Sequence, residues 1–228
     1  MCIKWIRLLL ILVTVTGTIF LVSCSEQENK NIDFMSTAIQ EDSSSTDDFA
    51  LYDEETQKEL WYSVGVKCKE LSTVPGIDDP VILVNGLQIT KRTVEFQKAL
   101  QILPNSKPLK DEIISIVRSK VVQSEAIKRG IQPSQESIDA YLEQNLDVLK
   151  NEAPGSAPIL AYIEGMGMTI EEYMETQEEL AYNMYQRSAL WLSVEATQES
   201  YDKFVDELVE KADIEILDSE IKSLFPNN

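Results

Sequence analysis

The sequence predicts a mainly α-helical fold with a small β element, in which a hairpin at the start of the domain pairs with a strand at its end. Three observations carry this. Apolar residues recur at intervals of three and four through most of the chain after residue 90. A single Asn85-Gly86 turn signal lies between two short apolar runs, and one alternating segment, Ala212-Asp213-Ile214-Glu215-Ile216-Leu217, stands near the end.

In chain order, the first predicted element is an extra helix between Asp53 and Leu71. Leu60, Trp61, Val64, Cys68 and Leu71 fall at helical spacing there, with acids in the first turn and lysines in the last. Gly65 counts against it, because glycine weakens a helix interior. Val81-Ile82-Leu83-Val84 reads as a buried strand, Asn85-Gly86 supplies two positive-φ positions, and Leu87-Gln88-Ile89 turns back. Thr90 then caps a helix carrying Val94, Phe96, Ala99, Leu100 and Leu103, which Pro104 stops. The next helix runs from Leu109 to Arg129 with Ile113, Ile114, Val117, Val121 and Ile127 as its stripe, and Gly130 fits the position after its end.

Ser134 caps a third helix with Ile138, Tyr141, Leu142, Leu146 and Leu149 on one face, and Pro154 to Pro158 interrupts the chain. A short helix around Ile159 to Ile163 is followed by Gly165-Met166-Gly167-Met168, read as a flexible link. Thr169 and Glu172 form a capping box for one long helix, with Tyr173, Leu180, Met184, Trp191 and Leu192 on one side and Glu171, Glu175, Glu178 and Glu179 on the other. Tyr201, Phe204, Val205, Leu208 and Val209 form a last helix before the alternating strand. That strand needs a partner, and pairing it with Val81 to Val84 joins the ends of the domain. The expected division is 1–23 signal peptide, 24–52 acidic tether, 53–79 extra helix and linker, 80–218 helical domain and 219–228 tail.

The first residues give an address. Lys4 and Arg7 are the only charges before residue 26, and an uncharged run follows from Leu8 to Val22. As a helix it reaches about 22 Å, short of the roughly 30 Å hydrocarbon core, so a signal peptide is favoured over a spanning helix. The run ends Leu21-Val22-Ser23-Cys24. This resembles the bacterial lipobox, which implies cleavage between Ser23 and Cys24, diacylglycerol on the Cys24 sulfur and an extracytoplasmic protein held at the cell membrane by lipid. The bland alternative is an ordinary secretory signal with a chance cysteine. From Ser25 to about Asp53 the chain is polar and unpatterned, the composition of a tether.

Charge and composition exclude several functions. The 228 residues hold 20 basic and 39 acidic side chains. Removal of Lys4 and Arg7 with the signal leaves 18 basic residues against 39 acidic, a net charge of −21. Such a chain lacks the clustered cations that nucleic-acid binding needs. There is no histidine, which removes Ser-His and Cys-His nucleophile arrangements and histidine zinc sites. Cys2 leaves with the signal and Cys24 carries lipid, so Cys68 has no partner for an intramolecular disulfide; it reads as a small buried hydrophobe before a reactive thiol. No phosphate-cradling glycine motif and no EF-hand spacing occurs, so neither a cofactor nor a metal is expected. Carboxylates are too numerous for any pair to single out an active site.

Several segments occur in an order that resembles the SurA N-terminal-like domain of extracytoplasmic folding factors of the SurA and PrsA kind, related to the peptide-binding part of trigger factor. They are Val84-Asn85-Gly86-Leu87-Gln88-Ile89-Thr90, then Ala126-Ile127-Lys128-Arg129-Gly130-Ile131, then Pro133-Ser134-Gln135-Glu136-Ser137-Ile138-Asp139-Ala140-Tyr141, then Gly167-Met168-Thr169-Ile170-Glu171-Glu172-Tyr173. The resemblance covers roughly Val81 to Leu217. Many relatives carry a parvulin-type prolyl isomerase domain before the closing helix and strand, whereas here Leu192 runs to Tyr201 with no room for one. The resemblance implies a chaperone-like module that binds unfolded or exported polypeptides without isomerase activity. Met166, Met168, Tyr173, Met174, Met184, Tyr185 and Trp191 are candidates to line its groove, with ordinary core packing as the alternative for each. Two other readings stay open: an adaptor lipoprotein docking one envelope partner, and an atypical prolyl isomerase. Oligomeric state is not legible in the sequence.

Overall fold

The computed structural model describes residues 53–104, 106–153, 155–194 and 197–225. The expected signal peptide, the expected Ser23-Cys24 cleavage site and the expected 24–52 tether lie outside these residues. The described chain is mainly helical, with one three-stranded antiparallel sheet. Its elements are α1 (Glu54–Leu71), β1 (Pro80–Val84), β2 (Leu87–Thr90), α2 (Lys91–Leu100), α3 (Leu109–Lys128), α4 (Gln135–Lys150), α5 (Ala157–Met166), α6 (Ile170–Glu175), α7 (Glu178–Ser193), α8 (Gln198–Glu210), β3 (Ile214–Ile216) and α9 (Ser219–Ser223). The chain divides into two compact units. From residue 53 on, the first comprises 53–66, 103–105 and 133–184; the second comprises 67–102, 106–132 and 185–228. Both the expected helical domain at 80–218 and the segment at 53–79 are shared between these units.

The second unit is built on the sheet, whose strand order is β2-β1-β3. Asn85 and Gly86 form the hairpin turn with φ of 50° and 82°, conformations that asparagine and glycine reach at least cost. β3 lies antiparallel to β1, placing Ile82 opposite Ile216, Leu83 opposite Glu215 and Val84 opposite Ile214, as the expected closure of the domain ends requires. The Thr90 hydroxyl accepts from the Thr93 N–H and starts α2. That helix ends at Leu100, one turn before the proline expected to stop it, and Leu103 is buried in the following turn.

α3 serves two cores. Ile113 and Val121 pack with the sheet residues Val81, Ile82, Val84 and Ile89. Val122 and Ala126 pack with Leu190, Tyr201 and Val205 of α7 and α8. The predicted stripe is therefore corrected: Ile114 and Ile127 are exposed, and Val122 and Ala126 take the second buried face. One helix that buries two faces needs two stripes, and a single-stripe reading picks some wrong members. An ion pair between Arg118 and Asp206, 2.6 Å long, ties α3 to α8. The 219–228 tail carries α9, whose Asp218 cap accepts from the Glu220 and Ile221 N–H groups, and Ile221 is buried in the sheet core.

The first unit is helical. Leu149, Ile159, Ile163 and Met174 form its core, with Tyr141, Leu142 and Leu146 of α4 packed against them. Ser134 caps α4 through the Ser137 N–H. Two expectations are corrected here. Gly165 and Met166 belong to α5, and Gly167 ends that helix in a left-handed cap, so the flexible link is a helix terminus. The single long helix is two, because Thr176 and Gln177 bond back three residues, to Tyr173 and Met174, and break the four-residue ladder between α6 and α7.

Candidate functional site

The capping box that opens α6 is complete: the Thr169 hydroxyl accepts from the Glu172 N–H, and the Glu172 carboxylate accepts from the Thr169 N–H. The helix it starts carries Tyr173 and Met174. Met174 is a core residue, and Met168 and Tyr173 pack against the same cluster. Tyr173 stands 6.1 Å edge-on to Tyr162, which is 6.3 Å from Trp61 in turn, forming an aromatic row inside the first unit. Burial pushes the Tyr173 phenol up to about 12. Met184 is buried and its sulfur accepts from the Tyr141 hydroxyl at 3.6 Å, while Met166 is partly buried at the end of α5.

Tyr185 and Trp191 fall in the other unit. Trp191 lies against Tyr201, with ring centroids 4.3 Å apart, and packs on the cluster of Ala126, Leu190 and Val205. Burial raises the Tyr201 and Tyr185 phenols as well. The structure therefore brings Met168, Tyr173 and Met174 together in one core and assigns Trp191 to a second one.

The acidic stripe expected along one helix is also divided. Glu171 lies on α6 and pairs with Lys150 of α4 at 2.7 Å, which holds its carboxyl below the usual range. Glu178 and Glu179 open α7, where a helix N-terminus favours negative charge.

The larger electrostatic feature is the segregation of charge between the units. Residues 53–66, 103–105 and 133–184 hold 15 acidic residues and two basic ones, Lys58 and Lys150. Both lysines are in ion pairs, with Glu54 and Glu171. From residue 67 on, the other unit holds 17 acidic and 15 basic residues. Most of this asymmetry is visible in one run, since residues 133–184 hold 11 acidic residues and one basic; only the membership of 53–66 in the same unit is not.

Among the described residues no group of three or more acids or cysteines is arranged to hold a metal ion. No described helix is long and apolar enough to cross a membrane. No protein-family model, curated protein or solved structure matches the chain significantly.

Proposed function

We propose that this chain is a lipid-anchored extracytoplasmic module with chaperone-like activity, binding unfolded or exported polypeptides without isomerising prolines. The observation that carries the reading is the closure of the fold: β3, from the far end of the domain, lies antiparallel on β1 of the hairpin. The SurA-like order of segments implies this arrangement, and the Thr90, Ser134 and Thr169 caps fall where that order needs helix starts. The lipobox at Ser23-Cys24 supports attachment through two acyl chains, enough for stable anchoring. The acidic unit repels acidic segments and raises the encounter rate with basic ones, and salt screens both effects. The absence of histidine and the short span from Leu192 to Tyr201 support a binding role over an isomerase role.

The test is light scattering from a chemically unfolded model protein, diluted with and without the full-length chain in mild detergent, at low and moderate salt. Suppression near stoichiometric ratio is the expected result. No suppression at either salt contradicts the reading.

A second reading, an adaptor that docks one folded envelope partner, is favoured by one observation. Met168, Tyr173 and Met174 pack into a core, where side chains offered to many clients are expected at an open surface. An adaptor binds its one partner tightly and ignores unfolded chains in the same assay.

A further inference from the structure

We propose that the outer edge of β3 receives an extended, basic polypeptide segment as a fourth strand, an inference that rests on the polypeptide-binding reading above and specifies its site. The backbone pattern comes first. The Asn85 N–H donates to the Asp213 carbonyl at 2.8 Å and the Leu217 N–H to the Val81 carbonyl at 2.9 Å, while Glu215 stands opposite Leu83. Residues 213, 215 and 217 thus turn their backbone toward β1. In an antiparallel ladder the alternate residues turn the other way, so the N–H and C=O groups of Ile214 and Ile216 face the outer edge. Among the described residues, none of the turn, loop, cap or side-chain hydrogen bonds uses them.

The side chains beside this edge fit an incoming strand on both faces. Ile214 is 39% exposed and Leu217 45%, and they lie on opposite faces because strand residues alternate. They offer apolar contact to residues pointing either way from an added strand. Asp213 and Glu215 are exposed next to the same edge. Lys211, which precedes the strand, lies 3.7 Å from Glu207. An edge flanked by carboxylates repels acidic strands, including a second copy of this acidic chain, and selects lysine- or arginine-bearing segments. The opposite edge is less available, since β2 runs directly into α2 through the Thr90 cap. Backbone pairing supplies affinity without reading sequence, which suits a binder of many unfolded chains.

The test uses a fluorescent octapeptide of alternating lysine and valine and the full-length chain in mild detergent, read by fluorescence anisotropy. Ile214→Pro removes an outward N–H and leaves the β1 ladder intact, a place where edge strands tolerate proline. The expected result is that the peptide binds, that Ile214→Pro weakens it about fivefold or more, and that salt weakens it further. As a control independent of protein folding, the same peptide N-methylated at every second residue along one edge should lose binding to the unaltered chain. Binding by neither protein, or binding indifferent to both N-methylation and Ile214→Pro, overturns the proposal. The light-scattering assay separates the two readings: a chain that suppresses aggregation equally well as Ile214→Pro keeps its chaperone-like function and loses this site. A chain that binds the octapeptide through the edge and suppresses nothing keeps the site and loses the function.

Discussion

Gly65 of α1 and Gly165 of α5 lie where two helices pass in backbone contact. A Cβ on Gly65 would fall on the Tyr162 carbonyl oxygen, and one on Gly165 on the Tyr62 carbonyl oxygen. In sequence, Gly65 counts only as a weak point in a helix, and Gly165 as part of a link. The crossing gives both glycines a packing role that propensity cannot reveal, because the partner helix is a hundred residues away. Either Gly65→Ala or Gly165→Ala should destabilise by about 1–3 kcal/mol, seen as a lower thermal midpoint, although alanine is the better helix former. A neutral or higher midpoint for both would mean the backbones do not meet. Glu112 is the residue-scale counterpart in electrostatics. It is 8% exposed, and burial is the main cause that raises its carboxyl above the ordinary value of 4.5. A raised carboxyl makes its stabilising contribution when protonated, present below the unfolded value and lost as pH rises through the folded one. Glu112→Gln should therefore melt higher than the parent at pH 7, with the difference closing as pH falls below 4.5. Equal midpoints at both pH values would contradict the assignment.

At the scale of elements, helix starts and the hairpin were the most legible features, because each depends on residues next to one another. Thr90, Ser134 and Thr169 each accept the N–H three residues on. The break between α6 and α7 was hidden, since Tyr173, Leu180, Met184 and Trp191 keep helical spacing across it. Only the local switch to three-residue bonding at Thr176 and Gln177 interrupts the helix. The closing strand was legible through its alternation, and its partner through the need to satisfy its backbone. Asn85 reinforces that pairing in a way sequence does not show: its Oδ1 accepts from the Asp213 N–H at 2.9 Å, joining the hairpin turn to the entry of β3. Asn85→Gly keeps the turn geometry and removes this bond. It should cost about 1 kcal/mol and speed amide hydrogen exchange in β3 more than in β2. Equal exchange in the two strands would place the closure elsewhere.

For the whole molecule, the sequence conveyed the fold class and the overall acidity, and the division into units supplied the rest. Residues 133–184 alone hold 11 acidic residues against one basic, and their grouping with 53–66 extends that imbalance to a whole unit. The methionines and aromatics proposed for a groove were legible as an apolar set. Their division between two cores was not, because Met184 and Tyr185 are neighbours in one helix and members of different units. The proposed anchor makes its own prediction at this scale. Cys24→Ala should leave the chain uncleaved by the lipoprotein pathway and without acyl chains, as mass spectrometry would show; acylation of that variant would rule out the lipobox assignment. The most direct measurement for the account as a whole is flotation of lipid vesicles bearing the acylated chain, mixed with one test protein in its unfolded and its folded form. The account predicts that the unfolded form floats with the vesicles, less so at higher salt, and that the folded form stays behind. Recovery of neither form, or of both equally, would contradict it.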